Sequence, residues 1–154
     1  MAEKQDGKWR SEVTEVIPAP IDKVWPILTD FDGLHRLFPQ IYSSCETVEG
    51  EKNKPGALRH LTAPTPHGIV EAKERLISID DVNHTTTYTI EWITMGWTGY
   101  LGAIDAKSTE KGETLVVWKF ELDPVAGQTE EQVLPTQQGL FNAMLTLTKG
   151  LATE

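Results

Sequence analysis

The run Ile69-Val-Glu-Ala-Lys-Glu-Arg-Leu-Ile-Ser-Ile79 reads as a β-strand with one carboxylate on the wrong face. At a period of two, Glu71, Lys73 and Arg75 share one side, while Val70, Ala72, Glu74 and Leu76 share the other. Glu74 is therefore the lone charge in an apolar stripe. The preceding run, residues 57–63, repeats the anomaly with opposite sign, because Arg59 falls on the face of Ala57, Leu61 and Ala63. If both stripes line one interior, a carboxylate and a guanidinium share it. A buried charge is costly unless paired, so the two form either a structural ion pair or the working chemistry of a pocket.

Working outward, further strand candidates fall at 41–48, 85–93, 100–107 and 114–122, separated by Gly-, Pro- and Asn-bearing turns. No crossover-length helix lies between them, so they pair antiparallel as a meander. A strand over 69–79 spans roughly 36 Å at ~3.3 Å per residue, which requires the sheet to twist and curl. Before this block, alternation over 9–17 predicts an opening strand stopped by Pro18 and Pro20. Ile21, Val24, Trp25, Leu28 and Phe31 then recur at helical spacing up to Gly33, with Pro26 expected to bend the helix, and a second short helix is expected over 34–38. After Pro124 the strand signal stops. Thr129-Glu-Glu-Gln132 has capping-box form, and Val133, Leu140, Met144, Leu147 and Leu151 mark a C-terminal amphipathic helix, expected over 136–151 with Pro135 kinking or breaking its first turns. The expected architecture is α+β: a curved antiparallel seven-stranded sheet wrapped around a long C-terminal helix, with two short helices after the first strand and a cavity between sheet and helix.

At 154 residues the chain is read as a single domain, 1–154. Its formal net charge of -9 opposes nucleic acid or an anionic membrane surface as partner. One cysteine, Cys45, allows no internal disulfide and fits a reducing compartment. The polar segment Met1-Ala-Glu-Lys-Gln-Asp-Gly7 lacks an apolar signal core, and no apolar stretch approaches membrane-spanning length, so a cytoplasmic protein is expected. The four histidines have no metal-ligand spacing, His60 faces away from Arg59, and residues 50–56 lack the ending of a phosphate loop. No metal and no cofactor is expected.

The segments Lys8-Trp9, Val24-Trp-Pro-Ile-Leu28, Asp30-Phe-Asp-Gly-Leu-His35, Cys45-Glu-Thr-Val-Glu-Gly-Glu51, Gly56-Ala-Leu-Arg59, Ala72-Lys-Glu-Arg-Leu76, Thr98-Gly-Tyr100 and Trp118-Lys-Phe120 occur in an order and spacing that resembles the START-like helix-grip superfamily of the birch-pollen allergens and plant polyketide-cyclase-like proteins. Within it the chain is most similar to the lachrymatory factor synthase family, a likeness that ends before the C-terminal helix and implies a plant protein. The resemblance assigns that family's essential arginine and glutamate to Arg59 and Glu74, the pair the alternation isolates, and its active-site tyrosine to Tyr88, which shares a strand face with Ile90 and Trp92. It implies cofactor-free isomerisation of an alkenyl sulfenic acid to a thial S-oxide, with Glu74 relaying the proton and Arg59 and Tyr88 holding the oxygen. A core tyrosine satisfied by a neighbour is the plainer reading of Tyr88.

Trp118, Trp92, Ile90 and Phe120 are expected to project inward and line the cavity with Leu140 and Met144 of the last helix. Trp97 and Tyr100 flank a Gly-rich turn where they could form a lid, and Met95-Gly-Trp97 departs from the family pattern. So many aromatic walls predict a compact ligand with one anion-forming end, bound by a monomer. The alternative is a non-catalytic carrier or receptor of a hydrophobic ligand or hormone. Abscisic-acid receptors of this superfamily carry a Ser-Gly-Leu-Pro gate and a His-Arg-Leu latch. Residues 62–68 and 94–99 carry neither, and His35-Arg-Leu37 lies in another element.

Overall fold

A computed structural model describes residues 7–154; residues 1–6 of the polar opening segment lie outside it. Strand β1 (Trp9–Ile17) leads into helices α1 (Ile21–Leu28) and α2 (Leu34–Leu37). Six strands follow: β2 (Ser44–Glu49), β3 (Leu58–Thr65), β4 (Gly68–Asp80), β5 (Thr85–Ile93), β6 (Leu101–Ser108) and β7 (Thr114–Leu122). Helix α3 (Glu130–Ala152) closes the chain. The strands make one antiparallel sheet in the order β1-β7-β6-β5-β4-β3-β2, curved around α3, which also packs on β1 and α1. The expected α+β architecture is the observed one. No helix among the described residues is long and apolar enough to cross a membrane.

Two β-bulges bend the long central strands, and each reverses the alternation beyond it. Where β4 meets β5, Glu74 faces Ile90 but Lys73 faces Trp92, leaving Glu91 as the extra residue. Arg75 holds Glu91 on the convex face, its Nε donating to Oε2 at 2.5 Å and its Nη2 to Oε1 at 2.9 Å. Tyr88 and Ile90 therefore point inward as expected, but Trp92 turns out, 49 % exposed, and Ile93 takes the inner place. Farther along β4, the shift between Leu76 and Ser78 leaves Ile77 exposed and turns Ile79 toward the interior.

Helix α1 stops at Leu28 rather than continuing through Phe31, and this early stop leaves the Phe31 carbonyl free for the interior. Helix α3 begins at Glu130, earlier than expected, with the Thr129 amide donating to Gln132 Oε1 at 2.8 Å in a capping box. Pro135 does not break it. At the sixth helical position the proline removes the hydrogen bond to the Glu131 carbonyl and crowds that oxygen, yet the helix runs on without interruption from Glu130 to Ala152. The buried stripe of α3 is Val133, Gln137, Phe141, Met144, Leu145, Thr148 and Ala152, so Leu140, Leu147 and Leu151 lie on its shoulder. Two polar residues lie in that stripe because each is satisfied locally: Thr148 Oγ1 donates to the Met144 carbonyl at 2.8 Å, and Gln137 Nε2 to the Tyr100 hydroxyl at 2.9 Å.

Candidate functional site

Arg59 and Glu74 are direct cross-strand partners on the concave face of β3 and β4, and each is only 8 % exposed. Arg59 Nε and Nη2 both donate to the same oxygen, Glu74 Oε1, at 3.0 and 2.5 Å. Nη1 donates to the Phe31 carbonyl at 2.7 Å, and the guanidinium lies 4.0 Å over the Phe31 ring. Asn53 anchors that loop by accepting from the Phe31 amide at 2.9 Å. Burial by itself would lower the Arg59 pKa, but Glu74 outweighs it and holds the guanidinium above its ordinary value. Three of the five guanidinium N–H groups are engaged, and Glu74 Oε2 accepts no hydrogen bond from the described residues.

The pair stands on a partition. On one side Arg59, Tyr88, Thr86, Trp118, Ile104 and Met144 enclose an inner cavity that leaves about 30 Å³ for the centres of water-sized groups, enough for one or two such groups. On the other side Glu74, Tyr42, Leu61, Ile90, Ile93 and Leu140 border an outer chamber of about 360 Å³ on the same measure. Its walls are mostly apolar. The Tyr42 hydroxyl meets Met144 Sδ at 3.4 Å, a second contact between residues of the two sides.

Tyr88 has a fixed environment. Trp118 Nε1 donates to its hydroxyl at 3.0 Å, and the Trp118 ring stacks on Phe141 at 4.0 Å between centroids. Tyr88 faces Gly102 across the β5–β6 ladder, where a Cβ would fall inside the tyrosine ring. Burial, followed by the charge of Glu74, holds Tyr42 and Tyr88 protonated well above the usual tyrosine value of 10.0. Burial does the same for Tyr100.

Of the residues expected to carry the site, Glu74, Ile90 and Leu140 border the outer chamber, and Arg59, Tyr88, Trp118 and Met144 the inner cavity. Phe120 and Trp97 border neither. Phe120 is buried against Tyr100 and Phe141, and Trp97 stacks on Tyr100 instead of forming a lid. The loop carrying Trp97 is stapled down: Lys8 Nζ donates to the Gly99 carbonyl at 3.1 Å and to Asp123 Oδ1 at 2.7 Å, and Thr98 donates to Asp123 Oδ2 at 2.8 Å. Trp92 is outside altogether. Sequence reasoning missed Phe31, Tyr42, Gln137 and Gly102. Only Gly102 left a signal, a glycine inside a strand where close packing needs one.

His60 lies on the opposite face from Arg59, with Nε2 2.9 Å from Glu71 Oε1, and Cys45 is a buried thiol against the Phe31 carbonyl. Among the described residues no group of three or more His, Cys, Asp or Glu could hold a metal ion.

Residues 8–150 match the family described as polyketide cyclase / dehydrase and lipid transport. The abscisic acid receptor PYL6 of Arabidopsis thaliana is 26% identical over 131 residues, which are 79% of this chain; the chain spans 59% of that receptor's length. The solved structure of the protein XoxI from Bacillus cereus is 26% identical with a TM-score of 0.78, over 94% of this chain and 96% of that one. Ginseng major latex-like protein 151 from Panax ginseng shares the fold, with a TM-score of 0.80 at 14% identity over 96% and 99% of the two chains.

Proposed function

Since the chain belongs to the polyketide cyclase / dehydrase and lipid transport family, we propose that its interior is a small-molecule site of lachrymatory factor synthase type, isomerising a compact sulfenic acid or a similar small reactive substrate by cofactor-free proton transfer. One observation carries this reading: both hydrogen bonds from Arg59 to Glu74 fall on Oε1, so Oε2 accepts none from the described residues while Glu74 borders the outer chamber. A pair that served packing alone would gain by engaging both oxygens, fork to fork.

In the proposed reaction the hydrocarbon tail lies in the outer chamber against Leu61, Ile90 and Leu140, and the oxygen reaches the remaining Arg59 N–H groups and the Tyr88 hydroxyl. Met144, a flexible thioether, is the movable part of the partition. The O–H bond of the acid breaks, its proton passing to Glu74 Oε2. The carbon–carbon double bond becomes carbon–sulfur as the alkene carbon farther from sulfur takes the proton back. Atoms and charge balance with no co-reactant. Arg59 and Tyr88 stabilise the oxyanion present between the two transfers.

The second reading is a non-catalytic binder of a hydrophobic ligand or hormone, favoured by the 26% identity to an abscisic acid receptor. Stopped-flow turnover of freshly generated alkenyl sulfenic acid separates the two. Under the isomerase reading the protein accelerates thial S-oxide formation, and Glu74→Gln abolishes the acceleration while remaining folded. No acceleration alongside binding of a stable ligand leaves the binder, and acceleration unaffected by Glu74→Gln removes Glu74 as the proton relay.

A further inference from the structure

The Arg59 guanidinium is held at two places. One is Glu74, its partner on the neighbouring strand; the other is Phe31, which offers its carbonyl at 2.7 Å and its ring at 4.0 Å. Phe31 belongs to no helix or strand. It is a central residue of the turn 30–33 between α1 and α2, closed by the Gly33 amide donating to the Asp30 carbonyl at 3.0 Å. That bond uses neither backbone group of Phe31, so both must find partners elsewhere. The carbonyl accepts from Arg59, with Cys45 Sγ at 3.7 Å as a weaker donor, and the amide donates to Asn53 Oδ1 at 2.9 Å. The two groups flank one Cα, so anchoring the amide restricts where the carbonyl and the ring can stand. Asn53 comes from the turn between β2 and β3, 22 residues away. Its φ of +61° lies in the left-handed region, where asparagine is among the few side chains tolerated; glycine would suit that backbone better but carries no acceptor. Asp32, the other central residue of the 30–33 turn, is tied to the same neighbourhood: Thr47 Oγ1 donates to its Oδ2 at 3.0 Å, and Lys52 Nζ stands 3.7 Å from its Oδ1.

Glu74 alone cannot fix the guanidinium. Both of its hydrogen bonds fall on one oxygen, Oε1, which leaves the group free to pivot about that atom, whereas a fork-to-fork pair would not. The Phe31 carbonyl supplies the third point that stops the pivot. We infer that Asn53 is a positioning residue that acts through Phe31 to hold the Arg59 guanidinium, keeping the N–H groups that Arg59 does not use presented to an oxygen of the ligand. Asn53 lines neither cavity, so its effect on a ligand must travel through Phe31 and Arg59, of which both border the inner one. The hold on Arg59 stands on this geometry alone; the ligand's oxygen rests on the function proposed above.

The test uses the whole protein labelled with nitrogen-15 and carbon-13, and follows the guanidinium signals of Arg59, one of four arginines, assigned from its own backbone. Held by Phe31 and Glu74, its Nη1 and Nη2 groups cannot change places and are expected to give separate signals. Asn53→Gly suits the turn but removes the acceptor. The two Arg59 signals are then expected to merge through rotation about the Cζ–Nε bond, while those of Arg10, Arg36 and Arg75 stay as they were. Asn53→Asp restores an acceptor that tolerates the same backbone, and is expected to return the separate signals. Merged signals in the unaltered protein, separate signals persisting in Asn53→Gly, or equal merging in both variants would each overturn the inference. Titration with propane-1-sulfinate reads the consequence: Asn53→Gly is expected to bind it about fivefold more weakly, and Asn53→Asp as tightly as the unaltered protein. Equal binding by all three, with the Arg59 signals merged in Asn53→Gly, overturns the positioning role. Merging in Asn53→Gly without sulfinate binding even by the unaltered protein upholds the hold on Arg59 and defeats the oxyanion reading of function. Should Asn53→Gly not fold, hydrogen exchange of the unaltered protein in low urea decides. The Phe31 amide and the Arg59 guanidinium protons are expected to lose protection in one local opening; guanidinium protons that stay protected after the amide has opened overturn the inference.

Discussion

Around Arg59 a few polar groups hold one another within an otherwise apolar wall: the guanidinium on Glu74 and the Phe31 carbonyl, and Trp118 on Tyr88. Across the Tyr42–Met144 contact lies a chamber some twelve times larger, about 360 against 30 Å³, whose walls are chiefly aliphatic. The contrast shows how one fold separates two tasks. The small side can fix an oxygen atom in direction because its groups cannot turn, and the large side can accept a tail because little there is directional.

Removing the charge that ties the two sides together should have the largest effect. Arg59→Leu leaves Glu74 and the Phe31 carbonyl buried without their partner and is expected to cost about 3–5 kcal/mol, read by urea unfolding. Glu74→Gln keeps an acceptor for Arg59 and should cost clearly less. Equal losses would mean that the pair acts only as packing. Met144→Ala comes next, at about 2–3 kcal/mol for a buried thioether. Because it removes the Tyr42 contact, a crystal structure should show the two spaces joined and binding should shift toward longer tails. A cavity still divided would contradict the partition.

The tyrosines sharpen the comparison by pH. All three, Tyr42, Tyr88 and Tyr100, have folded values raised above 10.0 by burial. A raised folded value means that stability is fully present below the unfolded value, about pH 10, and is lost above it, as the unfolded chain ionises and the folded one does not. Tyrosinate absorbance should therefore appear together with loss of near-ultraviolet dichroism in one alkaline transition. Early, independent titration of any one tyrosine would show a site open to water. The smallest effect belongs to the convex face: Trp92→Ala should change stability by no more than about 0.5 kcal/mol, with ligand binding unaltered.

How far the sequence reaches is clear from particular residues. Arg59 and Glu74 were legible because alternation holds from Arg59 to Leu61 and from Ala72 to Leu76, and the antiparallel register makes them neighbours. Trp92 was not. The extra residue at Glu91 is neither glycine nor proline, and what keeps it outside is Arg75, a contact that exists only after the strands have paired. The stripe of α3 was displaced for a related reason, since counting apolar residues passes over Gln137 and Thr148, whose polar atoms are satisfied inside the core. The partition was invisible from the sequence altogether, because Tyr42 and Met144 meet across 102 residues of chain.

The account stands most directly on which ligand the divided interior prefers. Calorimetric titration of the unmodified protein with a short alkyl sulfinate and with a long-chain fatty acid compares the two. Tighter binding of the sulfinate, lost in Arg59→Leu, is the expected result. Tighter binding of the fatty acid, unchanged in Arg59→Leu, would contradict it and make the interior that of an apolar carrier.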